Sequence, residues 1–193
     1  MKLAHWLVSG CLLLLAACAT TPEVSHSMSA PAANVVDSPF STSGRLAVNY
    51  QGRGQLASFD WQHSAGSDQL NVKTPIGTTV ASLRRDASGV RLLADGQERR
   101  ATDVESLTED TLGWPLPLSN LAWWARGLAA PGIQAEQAAD GRLQQQGWLI
   151  RHSQDATTHL PRRLELEREG LSIRLVFSDW RGSDASSPLS TQP

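Results

Sequence analysis

The chain has 193 residues, 17 Lys and Arg against 19 Asp and Glu for a net charge of −2, and two cysteines. That length suits one domain with tails and is enough to bury a real core. The near-neutral balance, with arginines scattered or in short pairs such as Arg84-Arg85, Arg99-Arg100 and Arg162-Arg163, leaves no electrostatic footprint for nucleic acid.

At the amino terminus Lys2 precedes an apolar run from Leu7 through Ala17, broken only by Ser9 and Gly10. This is the layout of an export signal. A membrane-spanning helix would need about 20 apolar residues, and the polar Thr20-Thr21-Pro22-Glu23 stretch follows too soon. The Leu15-Ala16-Ala17-Cys18 boundary resembles a bacterial lipobox, so residues 1–17 are expected to be a lipoprotein signal peptide and Cys18 the acylated lipid anchor. Cys11 leaves with the signal, and no disulfide framework can then form. Ala19 follows the anchor, and the absence of an Asp retention signal there implies outer-membrane placement facing the periplasm. Residues 18–39, rich in Ser, Thr, Ala and Pro, read as the acylated cysteine and a flexible tether.

From there the pattern has mostly the period of strands. Leu46, Val48 and Tyr50 alternate with Arg45, Ala47 and Asn49, the Gly-rich Gln51-Gly52-Arg53-Gly54 turns the chain, and Ala57, Phe59, Trp61 and His63 share one face of the return. Further strands are expected at residues 69–73, 79–84, 90–93 and 97–101, with turns at Ser88-Gly89 and Asp95-Gly96. The period then changes. Thr102-Asp103-Val104-Glu105 has the form of a capping box, and Val104, Leu107 and Thr111 predict a short helix that Gly113 ends. The two prolines of Trp114-Pro115-Leu116-Pro117 break it. A second helix is predicted from near Ser119 through Leu128, stopped by Gly127 and Pro131. Beyond an Ala, Gln and Gly-rich connection, strands are expected at residues 144–151, 162–168 and 171–178, and residues 182–193 form a loose, Ser-rich tail.

Strands, two helices, then strands predict a mainly β (α+β) domain. Its expected form is an incomplete antiparallel β-barrel or strongly curved sheet enclosing an apolar cavity, covered by short helices. No catalytic constellation emerges. There is no Gly-x-Ser-x-Gly elbow, no His-Glu-x-x-His and no Walker loop, and Gly52-x-Gly54 lies in a hairpin. His26, His63, His152 and His159 lack metal-ligand spacing, and Asp60 and Asp179 are the one pair of carboxylates worth locating. Trp61, Trp114, Trp123, Trp124, Trp148 and Trp180 suit either a packed core or a wide ligand pocket. Neither an enzyme, a cofactor nor a metal is therefore expected.

Phe59-Asp60-Trp61-Gln62-His63, Thr74-Pro75-Ile76-Gly77-Thr78, Gly113-Trp114-Pro115-Leu116-Pro117-Leu118-Ser119, Leu160-Pro161, Leu171-Ser172-Ile173-Arg174-Leu175 and Asp179-Trp180 occur in that order. Together they resemble the LolB family of outer-membrane lipoprotein receptors, with residues 40–181 as the lipoprotein-binding domain. The resemblance implies a receptor that accepts acylated lipoprotein cargo from the periplasmic carrier LolA and inserts it into outer-membrane lipid, working as a monomer. It also implies that Ile76, where the family has an apolar loop tip, touches the membrane; read from the residues alone, the favoured fate of Ile76 is to tuck back under the loop into the core. The family commonly has Asn-Pro-Leu-Gly where this chain has Thr74-Pro75-Ile76-Gly77, and residues 130–146 match it poorly. Period-2 alternation nominates Leu46, Val48, Phe59, Trp61, Val72, Trp148, Leu164 and Leu175 for the inward, acyl-facing wall. The alternative is a lipid-anchored structural or assembly protein without acyl transfer, and a third reading is a lipid-anchored hydrolase.

Overall fold

The computed structural model describes residues 38–182; Cys18, His26, the expected signal, most of the tether and most of the tail lie outside the described residues. The first two strands, β1 (Phe40–Tyr50) and β2 (Arg53–Ser64), form a hairpin, followed by β3 (Ser67–Lys73), β4 (Thr79–Asp86), β5 (Gly89–Ala94) and β6 (Gln97–Ala101). Helices α1 (Val104–Leu112) and α2 (Leu118–Ala125) come next. The chain then completes the sheet with β7 (Ala135–Gln137), β8 (Leu143–Gln145), β9 (Trp148–Gln154), β10 (Pro161–Arg168) and β11 (Leu171–Gly182).

All of the strands belong to one antiparallel sheet in the order β6-β5-β4-β3-β2-β1-β11-β10-β9-β8-β7. The helices connect its two edge strands, α1 lying against β5 and β6 and α2 against β9 and β10. The expected curved, helix-covered sheet is thus the fold. Its long β1 sits centrally, in register with both β2 and β11. Gly44 lets β1 pass this tightly: a Cβ there would come within 2.2 Å of the Val176 carbonyl oxygen and 2.9 Å of the Phe59 ring, where the register with β11 also shifts.

Alternation sorts the faces as read. Leu46, Val48, Phe59, Trp61, Leu70, Leu83, Leu92, Leu164, Leu166, Ile173 and Leu175 all point into one core, closed from above by Leu107, Leu118, Leu121 and Trp124 of the helices. Two-residue turns with positive φ at both positions, Gln51-Gly52, Asp95-Gly96 and Gln146-Gly147, join neighbouring strands. This turn matches the right-handed strand twist.

Several local expectations need correction. The strand expected over residues 144–151 is two strands, since Gln146 (φ 51°) and Gly147 (φ 75°) turn the chain so that Gln145 pairs with Trp148. β7 falls in the stretch read as a connection. β1 begins at Phe40, four residues before the reading at Gly44, because Ser41-Thr42-Ser43 looks like tether while Thr42 in fact faces inward. At the other end of the domain β11 runs on to Gly182, opposite Phe40.

The first helix is capped one residue later than the Thr102 capping box implied. Asp103 is the N-cap, and its carboxylate accepts from the Ser106 N–H at 2.7 Å and the Ser106 hydroxyl at 2.6 Å, which holds its pKa below the usual value. Gly113 (φ 85°) ends α1 as expected. Thr108, fully buried, donates its hydroxyl to the Val104 carbonyl and accepts from the Leu116 N–H at 2.8 Å, binding the proline-rich link back onto α1. α2 stops at Ala125, short of the expected Leu128. Gly127 at φ 76° lets its own N–H reach the Trp124 carbonyl and the Leu128 N–H reach that of Trp123, a paired C-cap that satisfies two orphan acceptors.

Candidate functional site

The loop between β3 and β4 is a tight turn closed on itself. The Gly77 N–H donates to the Thr74 carbonyl at 2.9 Å, the Thr78 N–H to the Thr74 hydroxyl at 3.1 Å, and the Thr74 N–H to the Thr78 carbonyl at 2.8 Å. Pro75 takes the first central position, where its fixed φ suits a turn, and Ile76 the second. With the backbone bonded internally, the Ile76 side chain has no route back into the core and stands 90% exposed. The reading in which Ile76 folds under the loop is therefore set aside.

Beside this loop an apolar hollow of about 290 Å³ opens between the sheet and the end of α1. Leu46, Val48, Ala57, Val72, Val80 and Ala81 form the sheet side, Leu112 and Trp114 the helical side, and Pro75 brings the loop to its rim. Lys73 and Asp95 supply polar groups at the margin. Leu56, 77% exposed, and Val80, 47% exposed, continue the apolar surface outward toward Ile76.

The eight nominated wall residues divide in two. Leu46, Val48 and Val72 line the hollow. Phe59, Trp61, Trp148, Leu164 and Leu175 face inward as expected but are sealed in the packed core, from 0% to 3% exposed. The division has two physical causes: α2 packs on β9 and β10, its Trp124 ring 6.4 Å from Trp148, and aromatic neighbours cover the residues of β2, Phe40 lying edge-on to Trp61 at 4.7 Å and Phe177 to Phe59 at 6.0 Å. Sequence reasoning missed Leu112 and left Trp114 open between core and pocket, because both flank a helix stop and belong to no strand period.

Away from the hollow, the deepest charge is Asp68, 2% exposed. Its carboxylate accepts from Trp61 Nε1 at 2.9 Å, His63 Nδ1 at 2.8 Å and Arg85 Nε at 2.9 Å. Burial pushes the Asp68 pKa up, but the His63 hydrogen bond and the nearby Arg85 charge outweigh it and hold the carboxyl below its ordinary range. This network fixes the Trp61 indole in place, a structural task. Asp60 and Asp179 do not meet: they pair with Lys73 and Arg181 respectively, on opposite sides of Ser43. Among the described residues no cluster of His, Cys, Asp and Glu could hold a metal ion, and no helix is long and apolar enough to cross a membrane.

The family model described as outer membrane lipoprotein LolB matches residues 38–180. An outer-membrane lipoprotein LolB of Chromobacterium violaceum is 48% identical over 171 residues, covering 88% of this chain and 94% of that protein. The LolB of Thiobacillus denitrificans is 38% identical over 88% of this chain and 92% of its own length. A solved structure of a LolA superfamily protein from Nitrosomonas europaea superposes with a TM-score of 0.36 at 8% identity, over 75% of this chain and 86% of that one, a likeness too slight to add to the assignment. On the strength of the family match and of relatives this similar along nearly their whole length, the chain belongs to the LolB family of outer-membrane lipoproteins.

Proposed function

We propose that this chain is the outer-membrane acceptor of lipoproteins: it takes acylated cargo from the periplasmic carrier LolA, shelters the acyl chains against its inward apolar face, and releases them into the bilayer. The observation that best supports this is the juxtaposition of an apolar hollow with the exposed Ile76 loop at its rim. Shelter is needed. Three acyl chains with about 45 methylenes in all would cost on the order of 36 kcal/mol exposed to water, at roughly 0.8 kcal/mol each.

The hollow in its present state is too small for such cargo. At roughly 30 Å³ per water-sized group, 290 Å³ accommodates about ten groups, less than one long acyl chain. Loading therefore requires α1 and α2 to draw back from the sheet, extending the hollow toward Trp61, Trp148, Leu164 and Leu175. On this reading the five sealed residues are the wall of the loaded cavity. Release then depends on the bilayer holding acyl chains more tightly than the protein does, so that differential affinity alone drives transfer.

The test uses a labelled lipoprotein bound to purified LolA, with transfer to this chain and then to liposomes followed separately. Stoichiometric acceptance and displacement by a fluorescent fatty acid support the receptor. An inert protein would instead be a lipid-anchored scaffold, and ester turnover would identify a hydrolase.

A further inference from the structure

Strand register sorts the charges of the sheet's outer face into rows. Arg84, Arg91 and Arg100 stand directly opposite one another on β4, β5 and β6, on the side away from the buried Leu83 and Leu92. The same row continues through Gln69, Gln62 and Ser41 to Arg181 of β11, so seven neighbouring strands contribute four arginines and no acid. The next row, one step toward the Ile76 turn, carries Asp179, Asp60 and Glu98 and no base. Spacings of seven and nine residues between the three aligned arginines follow no strand period, so only the pairing brings them together.

Like charges directly opposite one another destabilise a sheet. Arg84 and Arg91 share one carboxylate, Asp86, at 3.4 and 3.6 Å, while Arg100 meets Glu98 and Arg181 meets Asp179, each at 2.7 Å. The four arginine side chains are 42–76% exposed, and exposed pairs of this kind hold weakly, so the guanidiniums can exchange them for a stronger anion. Between Arg84 and Arg181 the row opens into a trough of about 630 Å³, lined by Ser41, Gln62 and Gln69. Its rim includes Pro39 and Gly182, where the chain enters and leaves the described domain. Guanidinium forks match phosphate oxygens, and the amides and hydroxyls between them suit the polar remainder of a headgroup.

We infer that this row is a docking surface for the anionic phospholipid headgroups of the membrane that holds the chain. Location favours lipid over an acidic protein: on a chain anchored at Cys18, the connector reaches the domain at the trough itself, which keeps the row within reach of the bilayer. Docked in this way, the basic row faces the membrane, the acidic row lies behind it, and the Ile76 turn stands at the far end, free to meet cargo. The inference goes beyond acyl transfer and does not depend on it.

The test uses the mature chain carrying Cys18→Ala, without cargo, floated with vesicles of phosphatidylcholine alone or of phosphatidylcholine and phosphatidylglycerol in equal parts. Preference for the anionic vesicles is expected, and its loss at ~1 M salt, where the screening length falls to about 3 Å. Each arginine near an anionic surface strengthens binding about fivefold, so the Arg84→Gln, Arg91→Gln double variant should bind them about 25-fold more weakly. Its thermal midpoint should be unchanged or higher, since two opposed charges are gone, and Ile76→Glu should bind as the wild type does. No anionic preference in the wild type, or undiminished affinity in the folded double variant, would overturn the inference. If the double variant keeps its vesicle affinity and instead loses affinity for cargo-free LolA, the row is a protein interface and the inference falls. A loss in Ile76→Glu as large as in the double variant would overturn it too, by making the tip the part that meets the bilayer.

Discussion

If the proposed function holds, replacing Ile76 with Glu should separate membrane delivery from every earlier step. Only about a tenth of the side chain is covered in the folded protein, so of the roughly 1.5–3 kcal/mol that full burial of an isoleucine is worth, only about 0.2–0.3 kcal/mol is at stake in folding. The Thr74–Gly77 turn bonds run through backbone and the Thr74 hydroxyl, and all survive the substitution. In contact with lipid the full 1.5–3 kcal/mol is lost, and the carboxylate adds a desolvation penalty. At ~1.4 kcal/mol per factor of ten, release into liposomes should slow by at least about 10- to 150-fold, while acceptance from LolA stays near the wild-type rate. Ile76→Leu should restore release. The assay is the two-stage transfer of labelled lipoprotein, with thermal unfolding run in parallel. Equal loss at both stages, or a midpoint several degrees lower in the variant, would refute the membrane-tip role.

Three further outcomes are expected. Cys18→Ala in the intact precursor should abolish acylation, checked by metabolic labelling with a fatty-acid analogue. Because the folded-state pKa of Asp68 is depressed below 3.8, its contribution to stability is complete above about pH 4–5 and fades as pH falls through the lower folded value; Asp68→Asn should cost ~1–3 kcal/mol at pH 6, and urea midpoints should show the gap to wild type closing below pH ~3.8. Gly127→Ala should cost at least ~1–2 kcal/mol in thermal unfolding, since its φ of 76° is strained for any other residue and the new Cβ would lie 2.6 Å from His152 Nδ1.

Strand existence and facing were legible wherever a period of two ran unbroken, as from Leu46 to Tyr50 and from Leu164 to Leu166, and β6 was read to its limits. The reading failed where polar side chains face inward. Thr42 disguised the start of β1, and Gln145, 1% exposed, hid the β8–β9 turn. Gln145 is buried because its amide works as backbone would, accepting from the Trp124 indole and the Ala130 N–H and donating to the Ala130 and Ile133 carbonyls. No periodicity announces such a residue. The site was half legible for a related reason: alternation tells which side of a strand faces inward, but only the packing of α2 and of the neighbouring aromatic rings decides which inward residues are sealed and which meet a hollow. Ile76 needed the family resemblance, since a lone apolar residue in a turn is compatible with either fate.

The polarity of the sheet sets a condition on reach. Phe40, His63 and Asp68 lie at one level, where the chain enters from its amino-terminal side, and β3 then climbs five residues from Asp68 to Lys73 before the Ile76 turn. Entry point and tip are thus at opposite ends, separated by ~17 Å of strand and the loop beyond. A lipid on Cys18 and an isoleucine at position 76 can meet the same leaflet only if the connector doubles back along the height of the sheet. The covalent path from Cys18 to Phe40 spans at most about 80 Å, several times that height. On the proposed function, a protein moored at Cys18 could still turn Ile76 to the same shore, because a line of that length exceeds the height it must retrace.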